Sequence, residues 1–256
     1  MEDPAIRAID THTHLPGTSL GCTPRPRGEL RREFEDDGLG GAWLMTVDGL
    51  LGDPARHNDT LWQSARDHLE FFVPFCTVWP HLGLAECLRE LDRAAGLGMR
   101  GLKLHPWLQA FSMRHSAVAP ILRHAGELGM PVLLHDGTPP YCTPLQIALA
   151  AEQVPETTVI LGHAGLDDLY EDAILACQRH PNIYLCLCSL SAGRIAEVIA
   201  RCPSNRLLFG SDGGLAPHLP RVAVAKFADL ALSPADRQRI FVDNALRLLP
   251  LPGYRS

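Results

Sequence analysis

Five short segments of this 256-residue chain hold side chains able to bind a divalent cation or to move a proton. They are Asp10-Thr11-His12-Thr13-His14, Lys103-Leu104-His105, His135-Asp136, His163 and Ser211-Asp212. Each closes an apolar run of strand-like composition. His12 and His14 are two apart, so on a strand they share a face, separated by about 6 to 7 Å of rise. Two imidazoles facing one way can grip one cation. Taken singly, each residue has an ordinary explanation. A lone histidine on a strand is usually a satisfied core group, Asp212 beside Gly213 and Gly214 could form a turn, and Lys103 could be a surface lysine. Taken together they are hard to explain as packing. Buried polar groups cost free energy unless partnered, and a divalent cation would partner them all.

The elements that must position these residues read as strands alternating with helices. The apolar runs are Ala5–Asp10, Gly41–Val47, Phe71–Val78, Gly101–His105, Pro131–His135, Thr158–His163, Asn182–Cys188 and Arg206–Asp212. Each has the length and continuity of a buried parallel strand. Between them apolar residues recur at helical spacing, as in Ala85, Leu88, Leu91 and Ala95, and in Ile195, Val198, Ile199 and Cys202. Gly40, Gly98 and Gly129 precede strands where helix C-caps are expected. Eight strands alternating with helices predict a single (β/α)8 TIM barrel spanning residues 1–256. An open doubly wound sheet would want a Gly-rich fingerprint after the first strand, and Thr11–Leu15 has none. In a barrel the carboxyl ends of the strands converge on one mouth, so all five segments would meet there. Residues 15–27, rich in Gly, Pro and Thr, predict a loop at that mouth, suited to a substrate lid. The last helix is expected over Pro234 to Leu249, with Ser233 as its N-cap and Pro250 ending it.

Composition excludes several functions. Lys and Arg number 23 against 29 Asp and Glu, a net charge of −6, which argues against a general nucleic-acid binder. No apolar run approaches the ~20 residues of a membrane span. Met1 to Asp10 has no apolar core of a signal peptide, so a cytoplasmic protein is expected. The eight cysteines are scattered, and Cys76, Cys186 and Cys188 lie in apolar runs. Buried thiols in a reducing compartment are the expectation. The expected partner is a small-molecule substrate, with a homodimer left open.

The ordered set of motifs resembles the amidohydrolase superfamily of metal-dependent hydrolases. Its marks are Ile9-Asp10-Thr11-His12-Thr13-His14, Gly101-Leu102-Lys103-Leu104-His105-Pro106, Ile160-Leu161-Gly162-His163-Ala164-Gly165, Leu208-Phe209-Gly210-Ser211-Asp212 and Asn244-Ala245-Leu246-Arg247-Leu248. The chain is most similar to the amidohydrolase-related branch, which includes non-oxidative decarboxylases like aminocarboxymuconate-semialdehyde decarboxylase. The resemblance implies metal ligands at His12, His14, His135 and Asp212, with Asp212 also able to take a proton from bound water. It implies His163 as a second-metal ligand or as an acid/base. Two designs follow. In one, a single ion sits on His12, His14, His135 and Asp212, and His163 meets the substrate. In the other, Lys103 is carboxylated and bridges two ions, with His135 and His163 on the second.

Either design supports a metal-dependent hydrolase of a C–N or C–O bond in a small molecule, such as an amide, cyclic amide or lactone. Zinc lowers the pKa of bound water to about 7. The alternative is a metal-dependent non-oxidative decarboxylase of a small aromatic or enoic acid. Zinc is the first expectation for the cation, with manganese or iron as substitutes. Trp79, Trp107 and Tyr141 are candidates to stack on a planar substrate, and Arg25, with Arg27, to clamp a carboxylate. Cys186 and Cys188 alternate on the seventh strand, where the related branch commonly has Asp and Ser. Small buried hydrophobes are the expectation for both, with a soft-metal role as the alternative.

Overall fold

The computed structural model describes residues 6–19, 21 and 28–254. Eight parallel strands pair in sequence order: β1 (Ala8–Leu15), β2 (Leu39–Thr46), β3 (Phe72–Cys76), β4 (Gly101–Leu104), β5 (Val132–Leu134), β6 (Val159–Leu161), β7 (Ile183–Cys186) and β8 (Leu207–Leu208). Almost every residue in them is buried, because helices cover the outer face and side chains fill the inner one. The ring closes where the chain beyond β8 meets β1. Thr11 N donates to Phe209 O (3.0 Å), Asp212 N to His12 O (2.9 Å) and His14 N to Gly213 O (2.7 Å). The result is a single (β/α)8 TIM barrel, as the sequence predicts.

Each strand lies within or close to its expected run. The largest difference is at β1, which extends through Leu15, so His12 and His14 lie inside a strand. The register of β1 on β2 shifts between Asp10 and Thr13, a bulge that adds one residue on the β1 side. The Thr11 and Thr13 hydroxyls donate sideways, to Phe209 O and to Trp43 O, both at 2.7 Å. The neighbouring strands thus pin the intervening backbone.

The helices pack by their apolar stripes. In Leu84–Leu97 the buried residues are Cys87, Glu90, Leu91 and Ala94, so Ala85 falls outside the face expected for it. Gly98 (φ 107°) and Gly129 (φ 70°) take left-handed backbone after their helices, as expected. Gly40 does not: it lies within β2, and Gly38 (φ 90°) ends the preceding helix instead. The final helix begins on the Ser233 cap, where Asp236 N donates to Ser233 Oγ (3.0 Å). It runs as Pro234–Gln238, a π-helical turn Arg239–Asp243, and Asn244–Leu248. Within that turn Ile240 O accepts the amide of Phe209 (3.0 Å), while Asn244 Nδ2 donates to Ser204 O and Leu207 O. The last helix therefore holds β8 and its extension in place. Seven cysteines are described; all are buried and free. Among the described residues, no helix is long and apolar enough to cross a membrane.

Candidate active site

At the carboxyl ends of the strands lies a cavity open to the mouth. Its floor is His12, His14, Lys103, His105, His135, His163 and Asp212, and its apolar wall is Val47, Leu50, Leu108 and Leu215. Asp212 sits at the centre of the polar floor. Its Oδ1 lies 3.4 Å from His12 Nε2 and 3.3 Å from His14 Nε2, and its Oδ2 lies 3.9 Å from His163 Nδ1. Ser189 Oγ also donates to Oδ2 (3.2 Å). Asp212 adopts left-handed backbone (φ 61°), a strained conformation for a residue other than glycine. The strain is tolerated because the Asp212 amide is committed to His12 O.

The supporting contacts fix how each imidazole points. His12 Nδ1 donates to Gly162 O (3.0 Å), so Nε2 carries the lone pair that faces Asp212 and Lys103. Gly162 and Gly210 leave room for this ring; a Cβ on either would lie 3.1 Å from the His12 side chain. Asp10 accepts from the amides of His12 (3.0 Å) and Ser211 (3.1 Å) and from the Ser211 hydroxyl, tying the β1 motif to the β8 motif. Asp136 accepts from His163 N and Gly165 N, both at 2.6 Å, and so sets the turn that presents His163. Burial pushes the carboxyls of Asp10 and Asp136 up to about 7, against the pull of these donors.

The other imidazoles form a second group. His135 Nε2 pairs with Thr138 Oγ1 (2.8 Å), and its ring stacks on His105 with centroids 3.7 Å apart. The His163 ring is 4.8 Å from His12 and 4.5 Å from His135, so it joins the two groups. Burial lowers all these histidines: His105 to about 2, His163 to about 4, and His12, His14 and His135 below their ordinary value. Neutral imidazoles are ready ligands. Burial also favours a protonated Asp212, but His12, His163 and His14 outweigh it and hold the carboxyl well below its ordinary range. Lys103 is fully buried, with Nζ 2.9 Å from His12 Nε2, and burial pushes it down from 10.5 to about 8.

The donor set fits a divalent cation. Two buried imidazole nitrogens, His14 Nδ1 and His163 Nδ1, have no hydrogen-bond partner. Donor atoms of His12, His163, Cys188 and Asp212 all lie within 4.8 Å of one another. Orphaned nitrogens beside an ionised carboxylate are what a metal site presents when its ion is left out of account.

The expected substrate contacts sit elsewhere. Trp79 donates from Nε1 to Gln109 O (2.8 Å) and lines a separate cleft with Leu82 and Glu86. Trp107 and Tyr141 are exposed, and neither lines the cavity. Arg25 and Arg27, with most of the 15–27 loop, lie outside the described residues. The wall is instead built from Val47, Leu50, Leu108 and Leu215, which sequence reasoning did not single out. They come from turns after the strands, and only the folded path of those turns brings them together. The anchoring roles of Asp136 and Gly162 were equally unmarked, although both stand inside or beside motifs that were.

The amidohydrolase family model matches residues 9–251. The chain belongs to the amidohydrolase family. Several solved structures share its fold. It is similar to 2,6-dihydroxybenzoate decarboxylase from Rhizobium, with 16% identity, a TM-score of 0.73, and coverage of 94% of this chain and 98% of that one. It is similar to 5-carboxyvanillate decarboxylase LigW from Sphingomonas paucimobilis, with 15% identity, a TM-score of 0.74, and the same coverage of 94% and 98%. A dihydroxybenzoic acid decarboxylase from Polaromonas sp., with bound manganese and the inhibitor 2-nitroresorcinol, has 18% identity, a TM-score of 0.74, and coverage of 94% and 96%. No curated protein matches the chain in sequence.

Proposed function

We propose that this protein is a metal-dependent non-oxidative decarboxylase of a small aromatic or enoic carboxylic acid. The observation that carries the reading is the charge of the cavity. Among the described residues lining it are one carboxylate, Asp212, and one ammonium, Lys103; the histidines are neutral. A bound divalent cation would make the cavity clearly positive. That suits an anionic substrate, whereas a neutral amide or lactone makes no use of a lysine kept as a cation. The apolar wall suits a ring or a flat hydrocarbon chain. The decarboxylases with the same fold lend further support.

His12, His14 and Asp212 would hold the ion, which would supply Lewis-acid orientation of the substrate's oxygens. The remaining work falls to the chain itself. Lys103 binds the carboxylate or a neighbouring oxygen of the acid. Val47, Leu50, Leu108 and Leu215 exclude water from the reacting carbon. As the C–CO2 bond breaks, its electron pair stays on that carbon, which then needs a proton. His163, held by Asp136 and facing Asp212, is the group positioned to take that proton from solvent and pass it to the carbon, returning to its neutral form. Hydrolysis of a C–N or C–O bond, the first expectation from the sequence, needs Asp212 as a base and gives Lys103 a role only as a carboxylated bridge between two ions.

The test is a panel assay of the metal-loaded protein. Hydroxybenzoic and enoic acids are offered alongside cyclic amides and lactones, with carbon dioxide release and ring opening followed in parallel. Carbon dioxide from an acid, with no ring opening, is the expected result. Ring opening without carbon dioxide release would overturn the decarboxylase reading.

A further inference from the structure

We infer that Cys188 is a direct donor to the metal, making this a thiophilic centre that takes zinc in preference to manganese. The inference rests on the metal-centre reading above. Cys188 follows β7 and is fully buried. Its Sγ falls in the same 4.8 Å group as donor atoms of His12, His163 and Asp212. From within the hydrophobic core, its sulfur therefore reaches the other donors of the site.

Its surroundings fit that role. Gly210 has no side chain, and a Cβ there would strike Cys186 Sγ and lie 3.4 Å from Cys188 Cβ, so the glycine lets β7 and the β8 extension approach closely. Ser189 Oγ lies 3.3 Å from Cys188 Sγ and 3.2 Å from Asp212 Oδ2, bridging two donors. The orphaned Nδ1 of His163 marks a second buried donor atom without a hydrogen-bond partner in the same place. With His163 assigned to the proton, the donors from this group are His12 nitrogen, Asp212 oxygen and Cys188 sulfur, and His14 Nε2, 3.3 Å from Asp212 Oδ1, is the fourth. When the bond to the ion forms, the S–H bond breaks and its proton leaves to solvent. Thiolate favours zinc and cadmium, while manganese prefers oxygen donors. Cys186, two residues earlier, has its Sγ 3.6 Å from Thr11 Oγ1 and lies outside the donor group, so it serves as the control.

The test loads metal-free protein with one equivalent of Co2+ and records its absorption spectrum. Wild type should show visible ligand-field bands and an intense near-ultraviolet sulfur-to-cobalt band. Cys188→Ser should keep the visible bands and lose the ultraviolet one, and Cys186→Ser should keep both. Cys188→Ala replaces the serine variant if that one fails to fold. Competition titrations should show cadmium affinity falling at least ~10-fold in Cys188→Ser, with manganese affinity much less changed. Cobalt bound by wild type without the sulfur band, or a band that survives in both Cys188 variants, would overturn the inference alone. A wild-type protein that binds no cobalt would overturn the metal-centre reading as well.

Discussion

Replacing Lys103 with methionine should stabilise the metal-free protein while abolishing turnover. Lys103 is buried, and its ammonium is pushed down from 10.5 to about 8, chiefly by desolvation. The conversion is ~1.4 kcal/mol per pH unit, so the fold carries a penalty of about 3 kcal/mol while the lysine is charged. Methionine fills a similar volume without charge. Its cost is the donor lost to His12 Nε2, worth ~1 kcal/mol. The net expectation for Lys103→Met at pH 7 is a gain of ~2 kcal/mol in urea unfolding. The sign has a pH signature. The folded lysine loses its proton near pH 8 and the unfolded one near 10.5, so between those values the unfolded chain binds more protons and wild-type stability rises with pH. The mutant's advantage should therefore shrink as pH climbs from 8 to 10.5. Decarboxylation should fall to background throughout, because the cation that meets the acid is gone. A variant destabilised by more than ~1 kcal/mol, or one that retains turnover, would refute the reasoning that this charge is kept for binding.

Three further outcomes follow from the same geometry. His163→Ala should leave metal content unchanged, as measured by elemental analysis, and lower turnover by ~10²–10⁴-fold; a loss of metal would make His163 a ligand instead. Asp136→Asn replaces one of two acceptors facing backbone N–H groups with a donor, so it should cost ~2–4 kcal/mol in urea unfolding and reduce turnover with metal still bound. His105 is lowered from 6.5 to about 2 by burial, so below pH 6.5 the unfolded chain gains a proton that the fold refuses. Between pH 6.5 and 4.5 the metal-free wild type should lose ~2 kcal/mol relative to His105→Asn, read from paired urea midpoints at both pH values.

The barrel was legible because a strand covered on both faces must be apolar almost throughout, and eight such runs stand out between amphipathic stretches. The floor of the site was legible for a related reason. Polar residues that end apolar strands have few places to go, and a closed barrel brings all of those ends together. Two features were hidden from that logic. Trp79 looked like a mouth residue because it follows β3, yet its indole turns to Gln109 O and a different cleft. That contact lies 30 residues away in sequence, and local pattern carries no information about it. Gly40 looked like a helix cap because it precedes an apolar run, yet the helix ends earlier, at Gly38, and the strand starts before Gly40.

Closure of the barrel and assembly of the site depend on the same few bonds. β8 is only two residues long, and beyond it the chain must both complete the ring and turn a carboxylate inward. Asp212 meets both demands from left-handed backbone, at a cost of ~1–3 kcal/mol. The bonds Asp212 N to His12 O and His14 N to Gly213 O, with Asp10 bridging His12 and Ser211, offset that cost. Apart from the local His12–Asp10 bond, each of these joins the His12–His14 motif, or Asp10 beside it, to the motif around Asp212. A change that loosens the seam between β1 and β8 therefore separates His12 and His14 from Asp212, and with them the donors a cation requires. This is why the two motifs, ~200 residues apart, read as one chemical unit.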